Sequence, residues 1–216
     1  MTPIAPQTLL IFDFDGTIAN SLAVALDIAN ELAPEFGLPQ TDAQRFRKLK
    51  SLSLQELLQE AGLAWHQLPR LAMRGRAAFK KRMNQVEPIA GMDVLLKTLS
   101  TDHRLGILTS NSKSTVEAFL KAHELEYFSF VDAPRNVLGK ALAIRKILNR
   151  EGFSADQAIM IGDEVRDIEA AQGAGIKAVA VTWGLNSATR LQEAKPDAQA
   201  STVAELQALL LSHIDS

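Results

Sequence analysis

Cysteine is absent from this 216-residue chain, which excludes disulfides and thiolate metal sites outright and fits a reducing compartment. There is no basic excess either. A formal net charge of −2 argues against a dedicated nucleic-acid binder. The four histidines show no metal-ligand spacing, so no role is read into them. Long apolar runs are missing as well. The N-terminal stretch MTPIAPQTLLIFDFDG has no basic leader, and its apolar run breaks at Asp13, so it reads as neither a signal peptide nor a membrane span. The expectation is a cytoplasmic protein that meets neither membrane nor nucleic acid. Repeats and low-complexity segments are also lacking.

What is present is a folded globule's composition, 47% hydrophobic and 22% charged. The length suits one full domain with a small insertion. Thr8 to Phe14, Arg104 to Thr109, Phe128 to Val131, Ala158 to Gly162 and Ala178 to Val181 read as strands: short, turn-bounded and almost wholly apolar. Between them lie helical spacings: Val116, Phe119 and Leu120; Ile144, Ile147 and Leu148; Leu206, Leu209 and Leu210. Alternation of this kind predicts an α/β fold with a doubly wound parallel sheet, buried on both faces. Residues 19–88 break the alternation. They carry a helical stripe of Leu22, Ala25, Leu26, Ala29, Leu32 and Ala33, ended by Gly37 and Pro39, then further helical stretches from Asp42 to Val86. The predicted organisation is therefore a core of 1–18 and 89–216 with a helical insertion of 19–88.

In an open parallel sheet, ligands bind beyond the carboxyl ends of the strands. Asp13 and Asp15 follow the first strand, Thr109, Ser110 and Asn111 the second, and Asp163, Glu164 and Asp167 the fourth. In DFDGT, alternate spacing puts Asp13 and Asp15 on one face, where two like charges call for a cation. Gly16 allows a ligand close to the backbone. Taken alone, the same five residues are an acidic surface turn. In GDEVRD, residues 162–167, Asp163 is placed to cap a helix, but three carboxylates exceed what one cap needs. Mg²⁺ favours a few carboxylates plus water and phosphate, and Asp13, Asp15 and Asp163 form such a set. The Thr109–Asn111 triplet is either a helix cap or an anion site. Lys140 stands near a helix start, where the macrodipole disfavours a cation unless an anion is bound.

DFDGT, Thr109, Lys140 and GDEVRD, in that order and at strand ends, resemble the haloacid dehalogenase superfamily over the whole chain. The insertion after the first motif is similar to that superfamily's small helical cap. PIAGM (88–92), AAQGAG (170–175) and VTWGLNS (181–187) resemble its phosphoglycolate-phosphatase-like branch. The resemblance implies a Rossmann-like catalytic core and a magnesium-dependent hydrolase acting on a small phosphorylated metabolite. Asp13 would be the nucleophile, forming an aspartyl phosphate, and Asp15 the general acid and then base. Asp13, the backbone carbonyl of Asp15, and Asp163 would hold Mg²⁺, with Asp167 supporting the metal through water or Lys140. Gly16, Thr109, Ser110, Asn111 and Lys140 would bind the phosphoryl group. Asn20 stands where many relatives have Asp, and Ala141 where many have Pro.

Other readings stay open. A phosphomutase of the same superfamily would return the phosphoryl group to a sugar. A phospho-acceptor signalling domain would keep it on aspartate, although such a switch needs neither cap nor general acid. A non-catalytic relative would usually have lost its nucleophile. GAGIKA (173–178) follows a helix and precedes a strand, which reverses the dinucleotide-binding context, so it reads as a helix terminator. Trp65 and Trp183 read as packing residues. The insertion has ten Lys and Arg against seven Asp and Glu, a net +3. Its clusters, Arg45, Arg47, Lys48 and Lys50, then Arg70, Arg74, Arg76, Lys80, Lys81 and Arg82, are read mostly as a solvated face, with one or two free to attract an anionic substrate. A monomer or a small homo-oligomer is expected.

Overall fold

The computed structural model describes residues 8–42, 45, 52, 54–134 and 139–214. Its regular elements run β1 (Leu9–Phe12), α1 (Leu22–Leu32), α2 (Leu54–Ala61), α3 (Leu68–Arg82), α4 (Met92–Leu99), β2 (Arg104–Leu108), α5 (Lys113–Ala122), β3 (Phe130–Asp132), α6 (Lys140–Glu151), β4 (Ala158–Gly162), α7 (Val165–Ala174), β5 (Lys177–Val181), α8 (Ala188–Glu193), β6 (Ala198–Ala200) and α9 (Val203–Ile214). They divide into two compact units, Met1–Asn20 with Pro88–Ser216, and Ser21–Glu87.

The first unit is built on one six-stranded sheet in the order β3-β2-β1-β4-β5-β6, all of it parallel. This is the expected α/β architecture. Central β1 is buried along its whole length because helices cover both faces. Leu9 and Ile11 join a core cluster with Ile144 and Ile147 of α6 and Ile168 of α7. On the other face Phe14 meets Phe119 of α5 edge-on, with centroids 5.1 Å apart. β1 is centred between β2 and β4, with Phe12 in register with Ile107 and with Ile161.

Several expected boundaries move. β1 stops at Phe12, because the Phe14 carbonyl turns to accept the N–H groups of Thr17, Ile18 and Ala19. β3 covers Phe130–Asp132, two residues later than its apolar run begins; Phe128 instead packs edge-on against Phe12. β6 is an addition, too short at three residues to show a period. Gly175, in the left-handed region at φ +79°, terminates α7 as read.

In the second unit the buried stripe of α1 is Val24, Ile28 and Leu32, rotated from the one expected. Apolar residues occupy more than one face of this helix, so spacing alone does not choose between them. Part of the basic excess is engaged: Glu35 accepts from Arg70 and Arg74, Glu31 pairs with Arg82, and Arg70 lies over the Phe36 ring. Arg47, Lys48 and Lys50 lie outside the described residues. Among the described residues, no helix is long and apolar enough to cross a membrane.

Candidate active site

The ladder between β1 and β4 runs one bond past the strands. The N–H of Asp13 donates to the carbonyl of Ile161 at 2.8 Å, which sets Asp13 beside Asp163. α7 then brings Asp167 back over the same strand end. Carboxylate oxygens of Asp13, Asp163 and Asp167 lie within 4.8 Å of one another, and all three residues are buried. Lys140, the first residue of α6, reaches in from a third element. Its ammonium donates to Asp13 Oδ1 at 2.9 Å and to Asp167 Oδ1 at 2.5 Å. Four residues named from three separate segments of sequence thus meet.

Asp15 takes a different place. Its Oδ2 accepts from the Asn111 side-chain amide at 3.1 Å, while the grouped carboxylates are those of Asp13, Asp163 and Asp167. Thr109 is buried at the end of β2, and its hydroxyl accepts the Asn111 N–H at 2.9 Å. Ser110 is exposed between them. Gly16 has φ +78°, and a Cβ there would stand 2.3 Å from Asp163 Oδ2. Glycine is therefore required at this position twice over, for conformation and for space.

One placement differs from the sequence reading. Asp163 is not the helix cap: Glu164 holds that position, and Asp167 Oδ2 reaches back to the Glu164 N–H at 3.2 Å. Asp163 is freed for other partners. Its Oδ1 accepts the Thr17 hydroxyl at 2.7 Å and its Oδ2 the Leu185 N–H at 2.6 Å. The charge of Lys140 at a helix start is compensated by Asp13 and Asp167. Residues 182–187 carry no local signal of a role in the site beyond a glycine following a buried strand, yet Gly184 packs on Asp163 so closely that a Cβ would lie 2.1 Å from the aspartate's own.

Burial dominates the electrostatics. It raises the Asp13 pKa, an effect that Lys140 opposes and Asp167 reinforces. It raises Asp163 well above the usual range, with Asp13 and Glu164 adding to it. Glu164 is pushed up to about 7 by burial, against the pull of Arg166. Burial alone would lower Lys140, but Asp13 and Asp167 outweigh it and hold the ammonium firmly charged. Three buried carboxylates and the half-buried Glu164 thus face Lys140 and Arg166, an excess of acidic groups over cations. Hard oxygen donors with that excess fit a divalent cation.

Known proteins resemble this chain over most of its length. The haloacid dehalogenase-like hydrolase family matches residues 10–181. A phosphoglycolate phosphatase of Synechococcus elongatus is 38% identical over 199 residues, covering 91% of this chain and 94% of its own. A phosphoglycolate phosphatase of Aliivibrio fischeri is 26% identical, covering 94% and 96%. Among solved structures, a haloacid dehalogenase-like hydrolase of Streptococcus pneumoniae superposes with a TM-score of 0.80 at 26% identity, covering 94% of this chain and 98% of its own.

Proposed function

The chain belongs to the haloacid dehalogenase-like hydrolases and is a phosphatase, and from that premise we propose that it hydrolyses a small phosphate monoester through an aspartyl phosphate on Asp13. The observation that carries this reading is a buried carboxylate at the end of the central strand, braced by a lysine and flanked by two further acids. The substrate class follows from the relatives named phosphoglycolate phosphatases. We assign 1–18 and 89–216 to the catalytic core and 19–88 to the cap, in keeping with the two compact units.

Each residue has a task in this reading. Lys140 occupies Asp13 Oδ1, which leaves Oδ2 to attack phosphorus. The ammonium also offsets repulsion between the carboxylate and the incoming dianion. Asp15, steadied by Asn111, gives its proton to the departing alkoxide, so the alcohol leaves and the phosphoryl group stays on Asp13. The ionised Asp15 then takes a proton from water as its oxygen attacks the same phosphorus, releasing phosphate and restoring both acids. Gly16, Thr109, Ser110, Asn111 and Lys140 line the phosphoryl oxygens. Mg²⁺ would be held by Asp13, the Asp15 carbonyl and Asp163, with Asp167 behind them, and would supply charge neutralisation of the phosphoryl group. The test is phosphate release from a panel of phosphate esters. We expect turnover with Mg²⁺ and none in EDTA; full activity in EDTA removes the metal from the mechanism.

The same acids predict a pH-dependent metal effect on stability. Asp13, Asp163 and Glu164 have folded pKa values above their unfolded ones, so the folded state binds more protons. Their contribution is therefore destabilising, and it grows as pH rises from the unfolded carboxylate range of about 4 toward the Glu164 value of about 7. A cation at these acids relieves that penalty. At a Mg²⁺ concentration of about 100 times Kd, the Tm at pH 8 should rise by roughly 5–10 °C. At pH 5 the rise should be clearly smaller. An equal shift at both pH values would separate the metal from these acids.

A further inference from the structure

Trp183 does more than fill space. Its indole Nε1–H donates to the backbone carbonyl of Thr17 at 3.2 Å, although the two residues lie 166 positions apart in sequence. Thr17 is fully buried, and its hydroxyl donates to Asp163 Oδ1 at 2.7 Å. From the other side, residues 184–186 wrap the same aspartate. Gly184 packs against its Cβ, the Leu185 N–H donates to Oδ2 at 2.6 Å, and the Asn186 N–H donates to its carbonyl at 3.2 Å. The two oxygens of Asp163 are thus oriented by two separate segments, the turn after β1 and the loop after β5. Each oxygen keeps a second lone pair, and the direction of that lone pair depends on both segments holding one relative position. The Trp183–Thr17 bond ties them directly and closes a ring: Trp183 to Thr17, Thr17 to Asp163, Asp163 to Leu185, and along the chain back to Trp183.

We propose that Trp183 is a positioning residue for Asp163, acting through Thr17 to aim the carboxylate at the cation shared with Asp13. The inference rests on the reading of Asp163 as a divalent-cation ligand. Partners that orient a ligating carboxylate typically matter 10- to 100-fold for metal affinity or activity, and a bond relayed through a second residue belongs at the low end. The indole N–H and not the ring's bulk is what counts, so Trp183→Phe isolates it. Thr17→Val, which keeps shape and loses the hydroxyl, breaks the next link, and Thr17→Ser restores it.

The experiment is direct Mn²⁺ binding, by electron paramagnetic resonance of the free ion and by calorimetry, with the metal-free Tm of each variant recorded alongside. Wild type and Thr17→Ser should bind alike, while Trp183→Phe and Thr17→Val should bind about tenfold more weakly. Their metal-free Tm values should fall far less than loss of a core side chain would require. Wild-type affinity in Trp183→Phe, or a variant that fails to fold, assigns Trp183 to structure alone and overturns the proposal. Wild-type affinity in Thr17→Val breaks the relay and overturns it too. A wild-type protein that binds no Mn²⁺ is a different result: it overturns the metal site of the proposed function, and this inference with it.

Discussion

Asp13→Asn should leave a folded protein whose phosphatase turnover is down by on the order of 10⁴-fold or more, since losing a nucleophile removes the covalent route entirely. Asn matches Asp in shape, but its amide cannot attack phosphorus. The main-chain bond from residue 13 to Ile161 is untouched by the exchange. The side chain also loses the charge that faces Lys140, whose ammonium keeps Asp167 at 2.5 Å. One buried negative charge among crowded acids disappears, so the variant should melt at or above the wild-type temperature, because burial and Asp167 both disfavour an ionised Asp13. Circular dichroism and a phosphate-release assay on the same sample check both halves. Residual activity within tenfold of wild type in a folded variant would remove Asp13 from the nucleophile's role.

Asp15→Asn should behave differently, by trapping phosphate on Asp13. Removing a general acid and base costs about 10²–10⁴-fold. With an alkyl ester both steps slow, and little intermediate accumulates. p-Nitrophenyl phosphate has a leaving group that needs no proton, so its first step should survive better than the attack of water. The variant should give a burst of nitrophenol approaching one equivalent, then turnover reduced about 10²–10⁴-fold. The Asn111 amide can still donate to the oxygen of an asparagine at 15, so the local geometry should persist. Intact-mass measurement during the slow phase should find one added phosphoryl group, and peptide mapping should place it on Asp13. Wild-type steady turnover without phosphorylated protein would exclude Asp15 as the base.

Much of the sheet was legible because its strands are apolar runs bounded by turns. Ala158–Gly162 is a strand to the residue, and the acids after it do lie at the strand end. Three features were not legible, each for its own reason. β6 has three residues, fewer than any period needs. In α1 the apolar residues spread around the helix, so the choice of Val24, Ile28 and Leu32 is made by packing. The support of Asp163 comes from Thr17, 146 residues away, and from a backbone N–H, neither of which leaves a local pattern. Motif spacing therefore indicated which strand ends converge but not which three carboxylates group, since Asp167 and not Asp15 joins Asp13 and Asp163, and the groups that orient them emerge only from tertiary contact. Asp163 itself shows the limit: its local position suited a cap, and Glu164 took that part.

The bond from Asp13 to Ile161 carries a consequence for how this protein ages and fails under heat. Because Asp13 is fastened to the middle of a six-stranded sheet, its backbone should have no local opening of its own. Amides along β1 should exchange with solvent only through global unfolding, on the same timescale on which activity is lost. The acids are buried where proton uptake eases their crowding, so the centre of the sheet carries the cost of holding like charges together. Loss of the β-sheet and loss of the site should then be one event, seen as coincident decay of the sheet's circular dichroism and of phosphate release.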